Sequence, residues 1–194
     1  TTKLVLKYGL DTIPNTNTKL TGAKAKLIQL VDDYDSYKLA HEESLGVNHV
    51  LWSYTGDRVA KFIQEFGDGF SGFSLHQKNM VVLANNKIHD QVENGEAFSY
   101  KTNIDGKPYK LISSVCSHNI NEVASGLLKK HASDIVFIIN PKSHSVSVRK
   151  RSGVGVNLNK LAGKLIDGGG HTDSAGGKLT EAFLKFTKLF KVEV

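Results

Sequence analysis

Hydrophobic residues recur at helical spacing in the first half of this chain, and the spacing changes near residue 95. Residues 47–54, 57–66 and 73–92 each show the period of a helix that buries one side, and Gly56 and Gly67 end the first two of these runs. A short helix is also predicted at residues 1–9. Residues 24–31 are apolar over too short a run to distinguish a helix from a buried strand. The first half is therefore predicted to be mainly helical.

After residue 95 the pattern alternates between strands and helices. Residues 97–103 and 109–116 have strand character and flank Asp105-Gly106, a pair typical of tight hairpins. Residues 134–140 form a continuous apolar run, which predicts a central strand. Further strand and helix patterns occupy residues 145–149, 121–130, 156–165 and 181–190. This half is predicted to be an α/β domain with a mixed sheet.

These patterns predict three segments in the order helical part, connecting helix and α/β domain. The helical part covers residues 1–72, a long helix covers residues 73–95, and the mixed-sheet domain covers residues 96–194. With 194 residues and 40% hydrophobic composition, the chain is long enough to bury a core in each part.

Composition narrows the class of protein. The formal net charge of +6 suits an anionic ligand, although many ordinary proteins are as basic. Cys116 is the single cysteine, which excludes internal disulfides and CxxC metal sites and favours a reducing, cytoplasmic setting. No apolar run approaches the roughly 18 residues of a membrane helix. The sequence therefore predicts a protein that does not enter the membrane.

A glycine-rich stretch near the C-terminus is the first candidate for chemistry. Gly168, Gly169 and Gly170 precede His171 and come after a helical pattern. Glycines let a backbone turn sharply and present successive N–H groups to a phosphate, and histidine can donate to an anion. The same stretch is also compatible with a surface loop or a helix C-cap.

A second candidate is an acidic cluster in the first half. Asp32, Asp33 and Asp35 fall within four residues, directly after an apolar run. Carboxylates in this arrangement suit a hard cation such as Mn²⁺ or Mg²⁺. The alternative is structural, with Asp33 or Asp35 capping a helix at residues 36–39. The residues alone leave both interpretations open.

The C-terminal stretch resembles the substrate-binding domain of the DHH phosphoesterase superfamily. Its mark is a Gly-Gly-Gly-His loop followed by Ala-Gly, here Ala175-Gly176, and preceded by a strand that ends in a phosphate-contacting arginine. Register favours Arg149 for that arginine, with Arg151 as the alternative. Asp167 stands where the family often has a further glycine. The resemblance implies that Arg149, Gly168, Gly169, Gly170 and His171 bind a substrate phosphate.

Residues 31–37 resemble the last metal-ligand motif of the DHH catalytic domain, in the branch of oligoribonucleases and cyclic-nucleotide phosphodiesterases. The resemblance implies a two-manganese centre with Asp33 as a ligand, Asp32 as the second candidate and Asp35 in a structural role. Magnesium is the alternative metal. The Asp-His-His run of that family does not occur in the sequence. We therefore expect the C-terminal fragment of a phosphodiesterase or exonuclease that binds its substrate without hydrolysing it.

The expected partner is a short oligonucleotide or nucleotide phosphate, and a homodimer is an expected assembly. Related domains accompany alanyl-tRNA synthetases, so a non-catalytic RNA-binding module is the alternative function. The acidic cluster argues against it, because carboxylates repel an RNA backbone. An exopolyphosphatase relative is a third interpretation, and the sequence does not distinguish nucleotide from polyphosphate.

Overall fold

The computed structural model describes residues 22–179, which belong to two compact units divided after Asn85. The helices predicted at residues 1–9 and 181–190 lie outside the described residues. The division falls inside one long helix, and the segment boundaries predicted at residues 72 and 95 stay a prediction. Among residues 22–179, none of the helices combines the length and the apolar character that a membrane span needs.

The first unit is helical, as its hydrophobic spacing predicts. It contains α1 (Gly22–Asp35), α2 (Glu42–Ser53), α3 (Arg58–Phe66) and the first part of α4 (Leu75–Asn94). The ambiguous run at residues 24–31 is therefore helical. The core of this unit contains side chains from these helices and from the loops that follow α2 and α3: Leu30, Val47, Val50, Tyr54, Phe66 and Phe70.

The second unit is a mixed sheet with helices, which confirms the predicted α/β class. In chain order, its elements after α4 are β1 (Ala97–Ile104), β2 (Lys107–Val115), α5 (Ile120–Lys130), β3 (Ile135–Asn140), β4 (Ser145–Lys150), α6 (Leu158–Ile166), β5 (Gly169–Gly170) and β6 (Ser174–Lys178). The described strands lie in the order β1-β2-β3-β4-β6-β5. β2 and β3 are parallel, whereas the other neighbouring pairs are antiparallel.

The hairpin between β1 and β2 forms where the sequence predicts it. Asp105 and Gly106 both have positive φ, 49° and 76°, as a two-residue turn with right-handed strand twist requires. The glycine-rich stretch differs from expectation. Gly169 and Gly170 form a short strand that pairs with β6, so this stretch is a hairpin and not an open loop.

Helices pack on both faces of the sheet. On the α5 face, Ile112, Val136 and Ile138 contact the apolar side of α5. On the α6 face, Val146 and Val148 join a cluster with residues of α6. Because side chains alternate along a strand, the neighbouring positions Ser147 and Arg149 face the α5 side. The alternation of β4 thus decides which face carries the predicted arginine.

Candidate functional site

Arg149 and His171 lie in one row across the sheet. Arg149 on β4 is paired with Ser174 on β6, and the amide of His171 donates to the carbonyl of Ser174 over 2.7 Å. Directly opposite residues of antiparallel strands project from the same face. The three residues therefore share the α5 face, and we call them the arginine–histidine row.

The Arg149 side chain is half-buried and held by several acceptors. Its Nη1 donates to the carbonyls of Val148, at 2.9 Å, and Ala175, at 3.3 Å. Its Nη2 donates to Oδ1 of Asn121, at 2.8 Å, in the first turn of α5. A guanidinium has five N–H donors in a fixed fork, so this anchoring is compatible with a further contact to an anion. The sheet thus presents a cation in a fixed orientation.

The backbone donors of the glycine-rich hairpin are engaged within the domain. The amide of Gly168 donates to the carbonyl of Ala162 over 3.2 Å, and the amide of His171 donates to the carbonyl of Ser174. The amide of Gly170 donates to Oδ1 of Asn159 over 3.0 Å. These three amides therefore do not support the predicted phosphate cradle. The assignment of Gly168, Gly169 and Gly170 to substrate binding stays a prediction.

Close packing explains why glycines occupy this hairpin. A Cβ at Gly168 would fall on the carbonyl of Gly176, and one at Gly170 would lie 2.6 Å from the carbonyl of Ser174. Gly169 differs, because its Cβ would meet only the side-chain oxygen of Asn159, at 3.2 Å. Among the three glycines, Gly169 therefore has room for a side chain, whereas the other two are fixed by the fold.

The end of α6 leads directly into this hairpin. Asp167 has a φ of 47°, in the left-handed region, and its amide donates to the carbonyl of Ala162. Aspartate tolerates this conformation better than most residues. The helix C-cap that the sequence allowed is therefore present. Asp167 adopts there the left-handed conformation that a glycine usually provides.

The turn that carries His171 is tied down by residues that sequence reasoning missed. The Lys150 ammonium lies 2.8 Å from a carboxylate oxygen of Asp173 and donates to the carbonyl of Val156 over 2.7 Å. Its side chain is only 10% exposed, and it holds the pKa of Asp173 below its usual range. In addition, the amide of Leu158 donates to the carbonyl of Thr172. No local pattern signals these contacts, because they join distant parts of the chain.

Arg151, the alternative arginine, has a structural partner. Its Nη2 lies 2.6 Å from Oδ1 of Asp134. The other oxygen of Asp134 accepts from the amide of Lys110 over 2.9 Å. This amide, followed by Arg151, lowers the pKa of the Asp134 carboxyl. Arg151 thus helps to fasten the start of β3, and the choice of Arg149 as the phosphate contact stays a prediction.

The acidic cluster lies in the last turn of α1, and Asp33 is buried there. One carboxylate oxygen of Asp33 accepts from the amide of Ala40 at 3.0 Å. The other accepts from the amide of His41 at 3.1 Å and from Oγ of Ser44 at 2.6 Å. The Ser44 hydroxyl, more than these amides, lowers the pKa of Asp33. Residues 36–39 form a turn and not the helix that Asp33 or Asp35 was predicted to cap. Asp33 instead fastens the segment that leads into α2, and its assignment to a metal stays a prediction.

The part of the chain that the structure describes does not form a metal centre by itself. Across residues 22–179, no group of three or more His, Cys, Asp or Glu side chains is placed to hold a metal ion. Asp32 is half-buried beside Asp33, but both oxygens of Asp33 already accept hydrogen bonds. The residues present do not fit a manganese pair without further ligands.

Comparison with known proteins gives a family match for the second half of the chain. Residues 109–193 match the model of the DHHA1 domain. Among curated proteins, no match was found. The matched range includes β3, β4 and the glycine-rich hairpin, which carry the arginine–histidine row.

Solved structures match this chain at low sequence identity. PggH, a pGpG-specific phosphodiesterase from Vibrio cholerae, is 12% identical with a TM-score of 0.51, over 96% of this chain and 69% of that chain. Exonuclease RecJ bound to manganese is 17% identical with a TM-score of 0.44, over 96% and 48%. An uncharacterised protein from Helicobacter pylori G27 is 16% identical with a TM-score of 0.36, over 84% and 44%.

The chain spans less than half of the Helicobacter pylori and RecJ chains that it matches. The likeness to PggH extends over nearly the whole chain, and the DHHA1 match covers the residues that carry the Gly-Gly-Gly-His and Ala-Gly motifs. Residues 109–193 of this chain therefore carry a DHHA1 domain, the domain that accompanies the catalytic domain in DHH phosphoesterases, and the fold of the chain is similar to that of PggH.

Proposed function

We propose that this chain supplies the substrate-binding domain, and the end of the catalytic domain, of a manganese-dependent phosphoesterase. Its substrate is a short oligonucleotide or a nucleotide phosphodiester. The observation that carries the proposal is the shared row of Arg149 and His171 on the α5 face. Two side chains that bind anions, from distant parts of the chain, converge there on a rigid sheet.

The row can receive a phosphate from one side. The Arg149 fork matches two phosphate oxygens, and the exposed imidazole of His171 can donate to a third. In the next row along the strands, Gly169 and Gly176 are paired and have no side chains. That leaves room for the backbone of a ligand to lie against the sheet. Such positioning orients a phosphodiester for attack.

The catalytic metal belongs to the same proposal. The resemblance assigns Asp33 and Asp32 to a manganese centre, with magnesium as the alternative, and a bound metal would make water nucleophilic near neutral pH. The described residues do not complete such a centre, and the sequence contains no Asp-His-His run. We therefore propose that the 194-residue chain binds substrate but does not hydrolyse it.

Calorimetry with pGpG, adenosine monophosphate and tripolyphosphate tests the binding function. We expect nucleotide binding that Arg149→Ala and His171→Ala weaken and that Arg151→Ala retains. Tripolyphosphate bound more tightly than either nucleotide would favour a polyphosphate enzyme. Nucleotide affinity equal in all the variants would refute the site.

Activity is tested separately with manganese and pGpG. We expect no turnover by the 194-residue chain. Hydrolysis that Asp32→Asn and Asp33→Asn abolish would show instead that the chain completes its own metal centre.

A further inference from the structure

A groove lies on the α6 face of the sheet, opposite to the arginine–histidine row. It runs between residues 102–105 of the β1–β2 hairpin and residues 156–165, which include most of α6, and we call it the hairpin–helix groove. Its volume is about 320 Å³, within the range of roughly 300–1,000 Å³ found for ligand sites. Leu111 and Leu161, both buried core residues, lie at its base.

The helix side of this groove is basic. Lys160 and Lys164 are exposed and one helical turn apart, so their side chains project from the same side of α6. Neither ammonium forms a salt bridge with a carboxylate of residues 22–179. Asp105 is the acidic side chain that lines the groove, on the hairpin side. The lysines outnumber it, which favours an anionic ligand with two neighbouring charges.

Aromatic side chains continue the same face beyond the groove. Phe98 and Tyr100 lie two residues apart on β1, so their side chains project from the same face of the sheet. Tyr100 is paired with Leu111, which lies at the base of the groove. Their exposed fractions are 62% and 46%, which is unusual for two neighbouring aromatic residues on one face of a strand. Exposed aromatic rings on a sheet are a common platform for unstacked bases.

We infer that the hairpin–helix groove and these aromatic rings bind single-stranded nucleic acid. Lys160 and Lys164 pair with successive phosphates, while Tyr100 and Phe98 stack against bases. A duplex does not satisfy this surface, because its bases are already stacked and paired. The inference does not depend on the proposed phosphoesterase function, since the surface is on the opposite face from Arg149. It adds a second nucleic-acid contact to the DHHA1 domain.

The test measures binding of fluorescein-labelled hexathymidylate by anisotropy, between about 50 and 200 mM potassium chloride. All variants are made in the full chain with Arg149→Ala, which removes the contribution of the arginine–histidine row. Each phosphate contact on a single strand contributes roughly 0.7 to the slope of log affinity against log salt concentration. The double change Lys160→Ala and Lys164→Ala should therefore reduce the magnitude of this slope by about 1.4. Tyr100→Ala should weaken binding at least about fivefold.

Lys129→Ala is the matched control, because Lys129 is an exposed helix lysine on α5. It should change neither the affinity nor the salt slope. Thermal unfolding confirms that each variant is folded, and Tyr100→Phe, which keeps the ring, should restore binding if a Tyr100→Ala loss reflects stacking. The inference is overturned if the Arg149→Ala chain binds no hexathymidylate, if the lysine pair behaves like Lys129, or if a duplex binds as tightly as the single strand.

Discussion

The hydroxyl of Ser44 donates a 2.6 Å hydrogen bond to Oδ2 of Asp33. Both residues are buried, and the bond joins the last turn of α1 to the first turn of α2. Together with the amides of Ala40 and His41, it satisfies both oxygens of the carboxylate. Asp33 therefore has a structural role in this fold, whatever its role toward a metal.

Ser44→Ala should destabilise the first unit. The change leaves a buried carboxylate with one hydrogen bond fewer, and a hydrogen bond to a charged group contributes about 1.5–3 kcal/mol. Trp52, the single tryptophan, lies on α2 and reports unfolding of this unit by fluorescence. Ser53→Ala is the control, because Ser53 bonds only to the carbonyl of His49 in its own helix. Equal losses in the two variants would contradict the role of the Asp33 bond.

Acid should remove the contribution of Asp33. Its pKa is lowered in the folded state, chiefly by Ser44. The stabilisation is therefore complete above the unfolded pKa of about 3.9 and is lost as pH falls through the lower folded value. We expect Asp33→Asn to lower the Tm at pH 7, and the difference from the wild type to shrink below about pH 4. A difference that stays constant down to pH 2 would contradict the assignment.

Gly168→Ala and Gly169→Ala should separate folding from binding. At Gly168 a Cβ falls on the carbonyl of Gly176, so we expect a loss of about 1–3 kcal/mol in urea unfolding. At Gly169 the nearest atom is the side-chain oxygen of exposed Asn159, which can move. Gly169→Ala should therefore keep the fold, and weaker nucleotide binding by this folded variant would place Gly169 in the site. Unchanged affinity would remove Gly169 from the site.

Arg149→Ala should weaken nucleotide monophosphate binding by about 1.5–3 kcal/mol, the range for charge-assisted hydrogen bonds. Arg151→Ala is the control, since Arg151 is paired with Asp134. Calorimetry at fixed salt compares the two. Loss only in the Arg151 variant would move the phosphate contact to that residue.

Asn121→Ala tests whether the guanidinium is positioned by α5. The Oδ1 of Asn121 accepts a hydrogen bond from Nη2 of Arg149. Removing the Asn121 side chain therefore removes this anchor of the guanidinium but keeps its positive charge. We expect a smaller loss of affinity than for Arg149→Ala, and no further loss when the two changes are combined. A double variant that binds more weakly than Arg149→Ala alone would show that Asn121 contacts the ligand directly.

The order and type of most elements in the second unit could be predicted from the sequence. The Asp105-Gly106 turn, the apolar run of β3 and the helical spacing of α5 are local signals, because each depends on residues close in the chain. Arg149 and the Gly-Gly-Gly-His motif also lie in a recognisable order, from which the resemblance names candidate site residues whose roles stay predictions.

The contacts of those residues could be seen only in the folded domain. The Gly168 and Gly170 amides bond within the domain, and the Lys150–Asp173 pair fastens the turn that carries His171. Asp33 likewise accepts a hydrogen bond from the hydroxyl of Ser44 on α2, eleven residues away. A spacing pattern records where a donor or a charge occurs in the chain. Which partner satisfies it depends on strand register and helix packing, which join residues that no local pattern connects.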